Sequence, residues 1–400
     1  MNLVYLTPLW TGVCQIFESG DIYSSPRGMK AFYKVFKSII HDERINSIVV
    51  YLFVKKDKTS ERQSISKRIG IKTSVIVYYW GNYWELLCAF ARLTVEIINK
   101  CRRKEIDVIY SHGYCGAIGG VLCRLLRIPG ATRIYGLSGV FDLSDKGVVK
   151  FALNSPLVFL SLRMVKDICI ITDDGTSGHL FSSRYGSKRR KYITIRNGVD
   201  NLESRISKKP KNILPEKYIS YIARIHPRKN QLLWIKALRQ LNGSNLEIPC
   251  VLIGQVSDDH YHNQIKGYLR QHNMHEQITY IESLETEEIN YIVKHSAYTG
   301  VLYEVANVGN MFMEAYSAGC PIISRNINGC LEAFPKNSYF NVDSHDPQVL
   351  ADAMKSLWTN SDVRGRLSNA ARTASVSLIP IWEARIEYEK NILLNIAKQK

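Results

Sequence analysis

Short apolar runs of four to seven residues recur along this 400-residue chain, each bounded by turn-forming residues. In the first half they are LVYLT (3–7), SIVVYLF (47–53), VIVYY (75–79), DVIYS (107–111) and ICIIT (168–172). The second half repeats the theme with YISYIA (218–223), CVLIG (250–254), ITYI (278–281), GVLY (300–303) and CPIIS (320–324). Uninterrupted apolar runs of this length suit strands covered on both faces, as in parallel sheets. Between them, residues such as Leu86, Leu87, Phe90, Leu93, Ile97 and Ile98 recur at helical spacing. Strands alternating with helices build βα units, so the pattern predicts an α/β fold of two doubly wound domains. A chain of this length is comfortable for two hydrophobic cores and long for one.

The boundary falls best in SRISKKPKNILPEK (204–217), which is polar, basic and holds two prolines. After Pro380, IWEARIEYEKNILLNIAK (381–398) reads as a closing helix. No run approaches the roughly 18 unbroken apolar residues that a membrane span needs. The opening MNLVYLTPLW shows no basic leader and enters a strand-like run at once. The expectation is a cytoplasmic protein, or a peripheral one on the inner face of the plasma membrane. The nine cysteines form no CxxC pair, and no His cluster has zinc spacing, so neither a metal site nor a disulfide framework is expected.

Charge is unevenly spread. Residues 1–200 carry 30 Lys and Arg against 16 Asp and Glu, whereas residues 201–400 carry 23 against 20. A basic half beside a near-neutral half points to a surface that meets anions: phospholipid, a phosphorylated acceptor or nucleic acid. Lys30, Lys34 and Lys37 lie at helical spacing with Phe32, Tyr33 and Phe36 between them, a pattern that suits an interfacial helix on anionic lipid. Arg102-Arg103-Lys104 and KRRK (188–191) add two further clusters. Each cluster alone also reads as a solvated face. No recognition helix, RNP pattern or zinc finger supports nucleic acid, and none is expected as a partner.

The segment VGNMFMEAYSAGCPIIS (308–324) carries the chemistry. Gly309 and Asn310 open a short helix, Glu314 follows in its first turns, and Gly319 stands where a left-handed cap is needed. A helix opening on small residues offers free amides and a favourable dipole to phosphate. A carboxylate a few residues on can reach ribose hydroxyls; it can also be a plain helix-dipole charge.

This segment resembles the donor-binding stretch of retaining, nucleotide-sugar-dependent glycosyltransferases of family 4, which have the two-domain GT-B architecture. Those enzymes carry Glu, seven residues, Glu, Ala and then Gly-Xaa-Pro-Val/Ile; Glu314-Ala315 and Gly319-Cys320-Pro321-Ile322 fit. The resemblance implies two Rossmann-like domains facing a cleft: an N-terminal acceptor domain over 1–203, completed by helix 381–400, and a nucleotide-sugar domain over 204–380. It implies a nucleotide diphosphate sugar as donor, no cofactor and no metal ion. The implied acceptor is a saccharide, above all a lipid-linked one in surface polysaccharide or lipopolysaccharide assembly, with an anionic membrane surface as a further partner.

Further landmarks keep the family's order. YIARIHPRKNQ (221–231) resembles the Gly-Arg…Lys-Gly loop whose Arg and Lys clamp the diphosphate, with Ala223 and Asn230 in place of the glycines. Arg224 and Lys229 are therefore the candidate clamp, although a solvated basic loop would look the same. RNGVD (196–200) matches Pro-Asn-Gly-Val-Asp with Arg196 for Pro, and is also an ordinary turn signal. LIG (252–254) keeps only Gly254 of the family's base-binding strand end. IYSHGYCGAIGG (109–120) sets His112 at a strand's carboxyl end, where open α/β sheets place ligands. Asp173 and Asp174 read as helix caps.

Two departures matter. The family's first donor carboxylate would stand at Ala306, and the nearest acid is Glu304. YEVANVGN resembles a subgroup in which Asn307 or Asn310 reads the sugar. The family's N-terminal His that faces the donor sugar is replaced by Tyr135, in RIYG (133–136). The candidate catalytic residues are thus Glu304, Asn307 and His112; the donor-binding set is Arg224, Lys229, Gly254, Gly309, Asn310 and Glu314. Lys30, Lys34, Lys37 and Tyr135 are the acceptor or membrane set. Two rival readings remain: a GT-B nucleotide-sugar epimerase, and a catalytically dead partner in a glycosyltransferase complex.

Overall fold

The computed structural model describes residues 1–9, 14–19, 30–56, 67–137, 147–201, 205–211 and 214–399. They form two units. The first comprises Met1–Asp173, Ser177–Arg196 and Trp382–Lys400, and the second Asp174–Thr176 and Asn197–Ile381. Part of the basic segment over 204–217 lies outside the described residues.

Within the first unit the order is β1 (Asn2–Pro8), α1 (Cys14–Ser19), α2 (Lys30–His41), β2 (Ser47–Lys55), β3 (Arg68–Ile69), β4 (Thr73–Trp80), α3 (Tyr83–Arg102) and β5 (Val108–His112). It continues with α4 (Gly116–Leu125), β6 (Gly130–Ile134), α5 (Val148–Asn154), α6 (Pro156–Arg163), β7 (Ile168–Thr172), α7 (Gly178–Tyr185) and β8 (Lys191–Ile195). The sheet order is β3-β4-β2-β1-β5-β6-β7-β8, parallel apart from the β3–β4 pair. Strand order reverses at β1, so the helices cover both faces, as doubly wound sheets require. The core strands β5 and β7 are buried at every residue.

The glycines of 113–120 serve packing. A Cβ on Gly119 would lie 1.9 Å from Ser111 Oγ, and one on Gly120 would lie 2.1 Å from the Met164 carbonyl oxygen. Only hydrogen lets α4 sit this close to β5 and to the end of α6.

Helix α2 does not have the membrane face read from its spacing. Phe32 and Phe36 are fully buried and Tyr33 nearly so, packed with Tyr5 and Phe17 in the unit's own core. Lys30, Lys34 and Lys37 are half-buried, and the Lys34 ammonium lies 5.5 Å from the Trp382 ring centroid. An aromatic face already spent on the core cannot enter a bilayer.

The second unit runs β9 (Ile219–Ile222), α8 (Gln231–Asn242), β10 (Cys250–Ile253), α9 (Asp259–Gln271), β11 (Ile278–Ile281), α10 (Thr286–His295), β12 (Thr299–Val301) and α11 (Asn310–Ala318). Then follow β13 (Ile322–Ser324), β14 (Phe340–Asn341), α12 (Pro347–Thr359) and α13 (Ser361–Leu378). Its six-stranded sheet is wholly parallel, in the order β11-β10-β9-β12-β13-β14. Helix α14 (Trp382–Ala397) belongs to the first unit and packs on α2 and β5.

That packing centres on a buried ionic group. Glu389 is fully buried, with the Arg385 Nη2 at 2.5 Å and the Arg133 Nε at 3.4 Å. The Tyr110 hydroxyl donates to the same carboxylate. Arg385 Nε donates to the Arg196 carbonyl at 3.1 Å, and Arg133 donates to the Ile134 and Ile170 carbonyls and to Thr172 Oγ1. Among the described residues no helix is long and apolar enough to cross a membrane.

Candidate functional site

In the second unit, the loops leaving β9, β12 and β13 lie at the carboxyl ends of neighbouring strands. The β9 loop carries the candidate diphosphate clamp. After Ala223 the chain enters a short 3-10 turn, Pro227–Lys229, capped by His226, whose ring nitrogen accepts from the Arg228 amide at 3.1 Å. His226 is thus a cap. Asn230 then takes φ +56° in the left-handed region and starts α8. Asparagine is among the few side chains that tolerate this conformation, which accounts for its standing where the family has glycine.

Gly254 has a related reason. A Cβ there would lie 1.8 Å from the Ala223 carbonyl oxygen, so this glycine lets the β10 loop press against the backbone that carries Arg224. Gln231 Nε2 donates to the Arg224 carbonyl at 2.8 Å and holds the same stretch from the other side.

Lys229 is half-buried, with its ammonium 3.3 Å from the centroid of the Tyr303 ring. Burial, with Arg224 adding a like charge, lowers its pKa to about 8. Tyr303 is pushed well above the ordinary phenol range, first by burial and then by the Glu314 carboxylate, with Arg224 pulling the other way. Arg224, Lys229, Glu314 and Tyr303 therefore share one electrostatic environment. Gly309 joins them, since a Cβ on it would lie 2.8 Å from the Tyr303 ring.

Helix α11 begins at Asn310 after Gly309, which offers no side-chain cap, and there is no acidic residue in the first turn. Its leading amides are consequently open to an anion. Gly319 closes the helix at φ +70°, as its placement after Ala318 predicts. Asn310 Oδ1 accepts from Asn197 Nδ2 at 2.9 Å. The Asn-Gly of RNGVD is thus more than a turn: its side chain orients the first residue of α11. Asn307 is half-buried in the preceding loop, and the next amide, Val308, donates to the Asp174 carbonyl at 2.6 Å.

Ala306 is buried, and the nearby acid is held elsewhere. The Glu304 carboxylate meets Arg325 Nη1 at 2.9 Å and the His345 ring at 3.6 Å, and it accepts from Asn230 Nδ2. The Glu304 amide donates to the Arg228 carbonyl at 3.0 Å. Glu304 therefore ties the β12 loop to the clamp loop and to β13. Arg325, Tyr303 and Asn197 are the members of the site that sequence reasoning passed over.

His112 and Tyr135 lie in the first unit. His112 Nδ1 is 2.8 Å from the Tyr135 hydroxyl, and its ring stacks on Tyr5 with centroids 4.2 Å apart. It is fully buried, and burial first, then Arg133, holds its pKa well below the usual imidazole range, so it stays neutral. Its Nε2 has no hydrogen-bond partner among the described residues. Asp173 is not a helix cap: its carboxylate pairs with Arg196 Nε at 3.0 Å, and α7 starts from Ser177. Asp174 accepts from the Thr176 hydroxyl and amide instead.

Comparison with known proteins agrees with this geometry. Residues 203–374 match the family model described as glycosyl transferases group 1. Spore coat protein SA of Bacillus subtilis (strain 168) is 24% identical over 245 residues, which are 56% of this chain and 65% of that protein, so the match spans just under two thirds of the relative's length. Among solved structures, Anabaena HepE in complex with UDP and glucose superposes with a TM-score of 0.69 at 15% identity, covering 99% of each chain. Sucrose-phosphate synthase from Thermosynechococcus elongatus gives 0.70 at 15% identity over the full length of both chains. The fold is GT-B, and residues 203–374, within the second unit, match the glycosyl transferases group 1 family.

Proposed function

We propose that the chain transfers a sugar, with retention at the anomeric carbon, from a nucleoside diphosphate sugar to a saccharide acceptor carried on lipid. The observation behind this reading is the grouping of Arg224, Lys229 and Tyr303 with the open amino end of α11 and Glu314. Two cations and unpaired amides suit a diphosphate, whose charge grows as the bond to C1 breaks. The acceptor hydroxyl oxygen forms the new bond to C1, and its proton leaves with the departing diphosphate. Glu314 is assigned to the ribose hydroxyls. Glu304, held by Arg325, is assigned to positioning the clamp loop, with Asn307 and Asn310 left to read the donor sugar.

HepE has been solved with UDP-glucose as well as with UDP and glucose, which makes UDP-sugars the first donors to test. In the first unit, fully buried and neutral His112 is assigned to positioning the Tyr135 hydroxyl, with Tyr135 left to meet an acceptor or sugar hydroxyl. The basic composition of residues 1–200 favours an acceptor bearing phosphate and lying on an anionic membrane.

The test is product analysis with a panel of nucleotide sugars and lipid-linked saccharides. A new glycosidic product with an α-linkage from an α-linked donor supports the reading. Free nucleotide with an epimerised sugar indicates the epimerase instead. No turnover with any donor, despite tight nucleotide binding, indicates a binding partner of another transferase.

A further inference from the structure

Helix α3 carries two apolar stripes where a surface helix of a doubly wound sheet needs one. The inner stripe, Leu86, Ala89, Leu93 and Ile97, is buried against the sheet. The outer one comprises Tyr83, Trp84, Leu87 and Val95, exposed by 72, 73, 58 and 58%. At 3.6 residues per turn these four fall within about a third of the helix circumference, and Arg102 falls in the same arc about two turns beyond Val95. The two carboxylates of the helix lie off that arc and are engaged: Glu85 pairs with Lys56 at 3.0 Å, and Glu96 accepts from the Tyr78 hydroxyl at 2.9 Å. Arg103 and Lys104 extend the exposed basic end.

We propose that this outer face of α3 docks the protein onto an anionic lipid bilayer, with Tyr83, Trp84 and Leu87 inserted at headgroup depth and Arg102 and Arg103 on lipid phosphates. Tryptophan and tyrosine favour the interface because one end of the ring system is apolar and the other polar. The arc has no carboxylate to repel lipid phosphate, and the half of the chain that bears it carries the excess of Lys and Arg. A second copy of a chain with net charge +17 would meet like charge at the basic end, which disfavours self-association through this face. The face thus takes the role that α2, with its aromatic residues buried, cannot fill. The proposal rests on the reading of a lipid-linked acceptor, which needs the enzyme at such a surface.

The experiment is co-sedimentation of the full chain with phosphatidylglycerol-containing vesicles and with pure phosphatidylcholine vesicles, over a range of salt. Donor affinity is measured in parallel by calorimetry with UDP. Binding to the anionic vesicles, released by salt, is expected for the parent protein. It should weaken roughly tenfold or more in Trp84→Glu/Leu87→Glu and in Arg102→Glu/Arg103→Glu, with melting temperature and UDP affinity unchanged. Parent-like vesicle binding by both variants overturns the proposal. So does equal binding to neutral vesicles, failure to bind either kind, or a dimer seen by light scattering that the variants abolish. Loss of UDP affinity in the parent protein, with vesicle binding intact, would sink the donor reading and leave this surface standing.

Discussion

The Glu304 carboxylate lies 2.9 Å from Arg325 Nη1, and the Arg325 side chain is only 5% exposed. This pair joins the loop after β12 to the end of β13, directly behind the clamp loop that Asn230 caps. A guanidinium at such a depth depends on its carboxylate, because an unpartnered buried charge costs more than the pair contributes. Arg325 Nη2 also lies 2.8 Å from His345 Nε2, so the imidazole completes the group.

Glu304→Gln is therefore expected to destabilise the second unit by about 1–3 kcal/mol in chemical denaturation. Arg325→Met should cost less, since Glu304 retains Asn230 and partial solvent contact. The double variant should lose less than the sum of the two, as directly paired groups do. Strict additivity would show that the two side chains do not depend on each other. Donor KM should rise in Glu304→Gln through a displaced clamp loop, with Glu304→Asp recovering part of it.

Lys229 gives a pH signature. Its pKa, lowered to about 8, lies below that of an unfolded lysine. Folding therefore carries a cost that is fully present below about pH 8 and fades as pH rises towards the unfolded value, so this residue makes stability rise across that window. A bound diphosphate does the reverse: it favours the ammonium. Nucleotide binding near pH 8 should take up protons and weaken as pH rises, measured by calorimetry in buffers of different ionisation enthalpy. Lys229→Met should abolish the uptake, and Lys229→Ala and Arg224→Ala should each weaken binding by about 1.5–3 kcal/mol. Proton uptake that persists in Lys229→Met would assign it to another group.

Much of the architecture was legible because the strands are covered on both faces, and continuous apolar runs at β1, β2, β7, β9 and β10 admit few other readings. Strand β6, GATRI, escaped notice because an arginine stands next to its end and a glycine at its start. Arg133 is fully buried there only because Glu389, more than 250 positions later, supplies its counter-charge. The same distance problem hid the site's supporting residues. Arg325 looks like a surface charge until β13 sets it beside Glu304, and Asn197 looks like a turn residue until it meets Asn310. The α2 reading failed for a different reason. Periodicity shows that one face of a helix is apolar, but not whether that face meets the core or a membrane. Helix α3 reverses the case, because its outer stripe shows only once its inner one is placed.

Glu314 tests the nucleotide assignment directly. It sits on α11 one turn beyond the open amino end, close enough to Tyr303 to raise the phenol's pKa. Glu314→Gln keeps shape and removes charge, so the melting temperature should move little while UDP affinity falls roughly tenfold, as expected for one charged hydrogen bond. A deoxyribose analogue should lose affinity in the parent protein and show a much smaller loss in the variant. Equal losses in both proteins would place the ribose away from Glu314.

The ionic group under α14 makes the final case. Glu389 is fully buried between Arg133 and Arg385 and accepts from the Tyr110 hydroxyl. Burial alone would raise its pKa, but the two guanidiniums outweigh that and hold it below the usual carboxylate value. Its contribution is therefore complete above the unfolded carboxylate pKa and is lost as pH falls through the lower folded value. Glu389→Ala leaves two arginines buried around a cavity, with an expected cost of about 3–5 kcal/mol. Glu389→Gln fills the space and keeps one acceptor oxygen, but it loses the charge and sets an amide NH2 against a second donor, so it should fall between Ala and the parent. Hydrogen exchange should report the loss first in α14 and α2, which pack together, and only later in the second unit's sheet. Uniform loss of protection across both units would show instead that this charge cluster stabilises the whole chain rather than the seating of its last helix.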